Sequence, residues 1–182
     1  MPSEGNPFTL LESKVVYKNP WIQVTEDRVI RPGGEGGVFG VVTMKEGSTV
    51  LPVTSSGDVY LVLEYKYGIG RYSIEAMSGA MDGAEKPLDA AQRELQEELG
   101  FEAARWVYLG FVDPFTTVVR SRNHMFIAED LSEGSPLDDP NEVVEKLAVP
   151  LERAVDMVVQ GEITHSASCV LILKASRHFK LL

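Results

Sequence analysis

Over roughly the first eighty residues, apolar positions recur with strand-like spacing, in short runs punctuated by glycine and proline. KVVYK (14–18) and WIQVTEDRVIR (21–31) read as two strands joined by a turn at Asn19-Pro20, and residues 1–13 read as a loose arm. In the second run Ile22, Val24, Val29 and Ile30 do not hold one period, which predicts a bulge near Glu26. RPGGEGG (31–37) is a glycine-rich loop. VFGVVTMK (38–45) and STVLPVTS (48–55) are further strands, and SSGD (55–58) turns tightly into DVYLVLEYKY (58–67). A loop carrying Gly68 and Gly70 leads to one more strand, YSIEAMSG (72–79).

The period then changes. Pro87 followed by LDAAQRELQEEL predicts a helix stopped at Gly100, with Leu88, Ala91, Leu95 and Leu99 on one apolar stripe. WVYLGFV (106–112) and HMFIAEDL (124–131) return to strand spacing around an irregular DPFTTVVRSRN (113–123). EGSPLDDPNE (133–142) is a polar, acidic loop and VVEKLAVP (143–150) a last strand. Two helices close the chain, LERAVDMVVQG (151–161) and HSASCVLILKASRHF (165–179). Leu151, Val155 and Val158 mark one, and Val170, Leu171, Leu173 and Lys174 mark the other. Strands on both sides of one central helix, with helices at the end, predict a layered α+β or α/β domain.

The central helix carries a second stripe. Glu94, Glu97 and Glu98 gather beside the apolar face, and Glu94 and Glu98 stand one turn apart, a like-charge pair that costs a helix roughly a few tenths of a kcal/mol. Arg93, four residues before Glu97, is the obvious local offset. Carboxylates clustered on a rigid helix next to a glycine-bearing loop suit a hard divalent cation, and Mg2+ with a phosphate is the usual combination.

Length and charge narrow the rest. The 182 residues fit one domain with a full core and a small extra part. A net charge of -10 argues against attraction to a nucleic-acid backbone and means that anionic substrates need cations to approach the carboxylates. The single cysteine, Cys169, excludes an internal disulfide and a cysteine-rich zinc site. The first residues, MPSEGNPFTLLESK, show neither a basic start nor a long apolar run, and no stretch approaches a membrane span. The expectation is a soluble cytoplasmic protein.

Residues 79–101 resemble the Nudix box: Gly79, five residues, Glu85, seven residues, then Arg93-Glu94-apolar-any-Glu97-Glu98-any-Gly100-apolar. All seven fixed identities are present, with Leu95 and Phe101 at the apolar positions. At average composition such a match arises on the order of once per billion start positions. The resemblance implies an α/β/α sandwich around a mixed sheet, with the box as a loop-helix-loop. It implies hydrolysis of a nucleoside diphosphate linked to some other moiety.

Three features outside the box resemble the branch that hydrolyses ADP-ribose and GDP-mannose. A long segment precedes the box. EAMSG (75–79) is similar to that branch's Glu-x-x-Ala-Gly lead-in, with Pro114 where it carries a downstream proline. The tail 141–175 follows its pattern of acidic loop, strand, helix, Gly-Glu-Ile and final helix. The resemblance runs from about residue 14 to 178. It implies N-terminal antiparallel strands (1–45) exchanged between the subunits of a homodimer, and a hydrolase domain over 46–182. Two departures stand out. Ser78 replaces the usual alanine before the box glycine, and Asp113-Pro114-Phe115-Thr116-Thr117 followed by Arg120 and Arg122 replaces the usual run, leaving the sugar open. Two rivals remain: hydrolysis of another nucleotide, such as an oxidised nucleoside triphosphate or a capped RNA end, and a module that senses ADP-ribose without cutting it. The intact box glutamates and the absence of a basic helical appendage argue against the sensor.

The resemblance also implies roles. Glu94 and Glu98 are the main ligands of Mg2+ (or Mn2+), with Glu97 bridging or acting through water and the Ser78 carbonyl completing the shell. Arg93 orients a box glutamate, Glu85 fixes the box loop, and Gly79 and Gly100 are backbone requirements. Glu142 matches a metal-binding loop glutamate. The usual neighbouring base falls on Pro140, so Asp138, Asp139 or Glu142 itself takes that part. Trp21 is either the platform for the base or a buried core residue. Lys66, Arg71, Arg120 and Arg122 are expected at the diphosphate or sugar, and Glu75 at the base or ribose. His165 and His124 have no partner pattern for zinc or nucleophilic catalysis and read as structural; Cys169 reads as core.

Overall fold

The computed structural model describes residues 5–134 and 145–181, which divide into two compact units. The first comprises the described residues up to Lys45 together with Asp113–Ser121; the second comprises Glu46–Val112 and the described residues from Arg122 onward.

In the first unit, β1 (Thr9–Lys18), β2 (Ile22–Ile30) and β3 (Gly36–Met44) pair antiparallel, and the two-residue β9 (Val119–Arg120) lies parallel to β3. The expected loose arm is therefore partly strand. Thr9 and Leu10 find partners in Ile30 and Val29 because the β2–β3 pairing runs to the end of both strands. The expected bulge near Glu26 is also absent, since Glu26 pairs regularly with Lys14 and Gly40. The register shifts fall instead at Leu11 and Val16 of β1. β2 is paired on both sides and must keep two registers, whereas an edge strand can take an extra residue at the cost of one ladder.

The second unit holds β4 (Gly47–Pro52), β5 (Asp58–Lys66), a 3-10 turn (Tyr67–Ile69), β6 (Arg71–Glu75), β7 (Met77–Ala80), α1 (Pro87–Leu99), β8 (Phe101–Val112), β10 (Asn123–Glu133), β11 (Glu145–Pro150), α2 (Leu151–Val159) and α3 (Ser166–His178). Its strands form a mixed sheet, β7-β4-β10-β8, with β4 and β10 parallel, and an antiparallel sheet, β11-β5-β6. Neighbouring residues on the central strands point to opposite cores. Val50, Val62, Met77, Phe126 and Ala128 pack with Ala91, Leu95 and Leu99 of α1. Leu51, Leu61, Met125 and Ile127 pack with Leu151, Ala154 and Met157 of α2 and with Leu171, Ile172 and Ala175 of α3. The result is one helix on one face and two on the other, the layering that the box resemblance implies.

Packing corrects several local expectations. YSIEAMSG is not one strand: Glu75 pairs with Val62 of β5, Met77 pairs with Val50 of β4, and the chain changes sheets at Ala76. The Ala76 N–H, left without a ladder partner there, donates to Ser168 Oγ of α3 at 2.8 Å. β8 begins at Phe101, directly after the helix stop, because Phe101 already pairs with Glu133. Leu88 stands 37% exposed, so the buried stripe of α1 is Ala90, Ala91, Leu95 and Leu99. On α3 the buried face is Ala167, Ser168, Leu171, Ile172, Ala175 and Ser176; Leu173 and Lys174 lie outside it. Among the described residues no helix is long and apolar enough to cross a membrane.

Candidate active site

The site is built where β7 meets α1. Helix α1 starts with Pro87 in its first turn, where a missing N–H costs nothing, and Ser48 Oγ of β4 donates to the Pro87 carbonyl at 2.7 Å. It ends at Gly100, whose φ of +66° favours glycine and whose N–H donates to the Gln96 carbonyl at 2.9 Å. Both ends are thus fixed, and the acidic stripe is held beside β7.

Gly79 decides how close the two come. A methyl group at its α-carbon would lie 1.8 Å from Glu94 Cδ, so only glycine lets the carboxylate lie against the strand. Ser78, one residue earlier, pairs with Thr49 of β4, and their hydroxyls stand 2.8 Å apart. Thr49 Oγ1 in turn donates to Asn123 Oδ1 at 2.7 Å. These contacts fix the backbone whose Ser78 carbonyl is expected to face a cation.

Arg93 organises the charges. Its Nε and Nη2 donate to the two oxygens of Glu85 at 3.1 and 3.0 Å, and Nη2 also reaches the Ala80 carbonyl at 3.0 Å. Nη1 donates to Glu94 Oε1 at 2.7 Å and to Glu97 Oε2 at 2.9 Å. One guanidinium therefore binds the box loop and two carboxylates of the helix, which offsets their mutual repulsion. The hydrogen bonds from Arg93 hold the Glu85 carboxyl below the usual carboxylate range, helped by the Asp82 N–H, and Glu85 raises the Arg93 guanidinium above its ordinary value.

A second group lies on β5, β6 and α3. Lys66 bonds Glu64 and stands 4.0 Å from Glu75 Oε2. Burial works against its charge, but the Glu64 hydrogen bond and the charges of Glu75, Glu64 and Glu98 outweigh it and raise the ammonium above its ordinary value. The field of Glu98 links this group to α1. Arg71 Nη2 donates to Thr164 Oγ1 at 2.9 Å. His165, expected to be structural, sits within this group, its Nδ1 3.4 Å from Glu75 Oε2. Nothing local signals that contact, because Glu75 and His165 are far apart in sequence and meet only through the packing of α3 on the sheets.

Trp21 is 71% exposed in the turn before β2, which removes the core alternative; its N–H donates to Asn19 Oδ1 at 2.9 Å. Arg120 lies on β9, also in the first unit. In the second unit the Arg122 guanidinium lies 4.8 Å from the centre of the Phe111 ring. His124 contacts the Tyr108 hydroxyl at 3.0 Å and Glu46 at 3.2 Å. Cys169 is half-buried against the α2–α3 core, with its thiol directed to the Ile163 carbonyl. Asp138, Asp139 and Glu142 lie outside the described residues. A wide cleft at the start of β5, lined by Asp58, Tyr60, Phe101, Arg105 and Glu129, includes none of the box carboxylates.

Donor chemistry tests the fit of a metal. Glu94, Glu97, Glu98 and the Ser78 carbonyl offer oxygen only, the set that Mg2+ prefers. Among the described residues no three acidic, imidazole or thiol side chains converge tightly enough to hold an ion by themselves. An ion here would complete its shell with water and ligand oxygens, as Mg2+ commonly does. In that sense the residues fit.

Comparison with known proteins agrees with this construction. Residues 39–167, well over half of the chain, match the family profile described as the NUDIX domain. The chain belongs to the NUDIX family. Residues 8–42 of this Nudix hydrolase match a second profile, the nucleoside diphosphate sugar hydrolase N-terminal domain. An ADP-ribose pyrophosphatase of Bacillus subtilis is 28% identical over 158 residues, covering 81% of each chain. An ADP-ribose pyrophosphatase of Mycobacterium tuberculosis is 27% identical over 169 residues, 91% of this chain and 82% of the relative. The crystal structure of an ADP compounds hydrolase superposes with a TM-score of 0.84 over 95% of this chain and 94% of that one, at 22% identity, and shows the shared fold. The chain is a Nudix pyrophosphohydrolase with a nucleoside-diphosphate-sugar type N-terminal segment.

Proposed function

We propose that this Nudix hydrolase cleaves the diphosphate bond of nucleoside diphosphate sugars, with ADP-ribose and GDP-mannose the leading substrates. The observation that carries this reading is the match of residues 8–42 to the N-terminal domain of nucleoside diphosphate sugar hydrolases, joined to a box with every glutamate in place. Relatives named ADP-ribose pyrophosphatase support it.

Water attacks one phosphorus, the bridging P–O bond breaks, and a nucleoside monophosphate and a sugar phosphate leave. Glu94, Glu98, Glu97 and the Ser78 carbonyl would hold Mg2+ or Mn2+, with Glu142 as a further ligand. A divalent ion bound there would neutralise the diphosphate and acidify a water. Arg93 keeps Glu94 and Glu97 in place while bound to Glu85. Asp138, Asp139 or Glu142 accepts the proton of the attacking water; a weak carboxylate base suffices once that water is acidified. Lys66, Arg71, Arg120 and Arg122 face diphosphate or sugar, Glu75 accepts from base or ribose, and Trp21 stacks on the base. Residues 1–45 join two copies: β1 is an edge strand exposed along its length, with Leu10, Leu11, Val15, Val16 and Tyr17 uncovered.

Phosphatase-coupled turnover of a nucleotide panel with Mg2+ tests the reading, using ADP-ribose, GDP-mannose, UDP-glucose, NADH, a dinucleoside polyphosphate and an oxidised nucleoside triphosphate. Release from the first two is expected, lost with chelator and lowered by orders of magnitude in Glu98→Gln. Silence on both, with turnover of the triphosphate, overturns the substrate assignment.

A further inference from the structure

Glu75 is asymmetrically held. The residue is only 8% exposed, and in the function proposed above its carboxylate stands where an anionic diphosphate approaches. Among the described residues its titratable neighbours, Lys66 Nζ at 4.0 Å and His165 Nδ1 at 3.4 Å, both approach Oε2. Oε1 has no partner among the described residues and is not sealed from solvent. A buried carboxylate with one oxygen anchored and the other open is arranged to accept a hydrogen bond from a ligand.

The anchor is itself anchored. His165 is the residue just before α3, and its Nδ1 lies 2.8 Å from Ser168 Oγ, one turn on. Ser168 Oγ accepts the Ala76 N–H at 2.8 Å, at the residue where the chain changes sheets immediately after Glu75. The ring is thus tied to the backbone of the very segment whose side chain it touches. Hydrogen placement follows from charge. A bare Nδ1 would turn its lone pair toward the Glu75 carboxylate, whereas an Nδ1–H donates to Ser168 Oγ and keeps its positive end beside Glu75 Oε2, 3.4 Å away. The carboxylate therefore selects the Nδ1–H tautomer.

We propose that His165 is a positioning residue: with Lys66 it fixes Glu75 Oε2, so that Oε1 is presented as the acceptor for a hydroxyl or ring N–H of the bound nucleotide. The nucleotide half of this inference rests on the function proposed above. The anchoring half stands on the geometry alone. Burial pushes the imidazole below the ordinary histidine value, the Glu75 charge works against that, and the Lys66 charge adds to it. Other charges reach the group through Lys66, from Glu64 on β5 and Glu98 on α1, while Arg71 on β6 bonds Thr164 beside the ring. The lowered imidazole value favours the uncharged ring, which lies beside Glu75 Oε2 without cancelling the negative charge that makes Oε1 a strong acceptor.

Nitrogen-detected NMR of the three histidines tests the anchor directly, with His165→Asn supplying the assignment. The wild type should show His165 as the Nδ1–H tautomer. Glu75→Gln should shift its titration to lower pH, because the group that raises it is gone. An unmoved His165 titration, or an Nε2–H tautomer, overturns the proposal whether or not a substrate is known. Kinetics on the nucleotide that the wild type cleaves then tests the consequence. His165→Leu should raise KM roughly tenfold, the worth of one charge-assisted hydrogen bond, with kcat nearly unchanged. His165→Asn, whose amide can donate from the Nδ1 position, should restore most of it. Equal KM in all three overturns the proposal. If His165→Leu fails to fold, Ser168→Ala, which frees the ring, should raise KM in its place, and an unchanged value counts against the idea. Wild-type silence on every nucleoside diphosphate sugar defeats the substrate reading instead, and the imidazole titration still decides the anchor.

Discussion

At the scale of single residues, the site depends on two fits that differ in kind. Gly79 is a steric one. Alanine there would place a methyl 1.8 Å from Glu94 Cδ, and the atoms that must give belong to a side chain and not to backbone. The fold absorbs the change while the carboxylate moves. Gly79→Ala should therefore lower kcat by about two orders of magnitude with little change in thermal midpoint, since small misplacements near reacting groups cost about that much. A large fall in midpoint with normal specific activity would mean that the glycine serves folding alone. Arg93 is an electrostatic fit. Its hydrogen bonds depress the Glu85 carboxyl, so that contribution to stability is complete above the ordinary carboxylate range and is lost as pH falls through the lowered folded value. Arg93→Gln should be less stable than wild type at neutral pH, with the gap in urea midpoint narrowing as the pH drops below that range. A gap that stays constant into acid would assign the loss to packing.

At the scale of elements, α1 acts as a rigid bar carrying carboxylates, and its hold on the sheet is confined to a narrow face. Leu95 is fully buried among Val50, Met77 and Phe126, while Leu88 is half in water near the first turn. Leu95→Ala should cost about 2 to 5 kcal/mol and Leu88→Ala less than about 0.5 kcal/mol, read as urea unfolding at neutral pH. Comparable costs would show that the helical stripe, as the sequence periodicity predicts it, and not the observed face, describes the packing. The change of sheets at Ala76 has similar standing. It removes a ladder bond from the strand, and α3 supplies Ser168 in exchange, so the closing helix takes part in shaping the segment between Glu75 and Gly79.

For the molecule as a whole, the exposed apolar residues of β1 bear on assembly. A ten-residue edge strand with uncovered Leu11 and Val16 is a liability for an isolated chain, and a second copy is the partner proposed here. Sedimentation should give twice the 20.0 kDa of one chain, and the pair Leu11→Asp with Val16→Asp should return it to that single mass. Wild type sedimenting at the single mass would end the homodimer reading.

What the sequence determines by itself is whatever depends on near neighbours. The helix from Pro87 to Leu99 and its stop at Gly100 follow from a 3.6-residue period bounded by a proline and a glycine, and the strands follow from runs of β-branched and aromatic residues. The spacing of the box identities gives the family, because seven identities at fixed intervals rarely coincide by chance. The tertiary structure decides whatever depends on residues far apart in the chain. Periodicity allows Leu88 on the buried stripe, but only the position of the sheet leaves it outside. It allows one strand over 72–79, but only the two sheets divide it. Arg93 beside Glu97 is legible as a helical pair; its reach to Glu85 and the Ala80 carbonyl needs the loop folded back. His165 carries no local signal at all, since its neighbour Glu75 stands on a strand that α3 meets only after the sheets have formed. Local preferences are set by a few bonds of chain, whereas a site is set by packing, which brings distant groups together and excludes the water that would otherwise screen them.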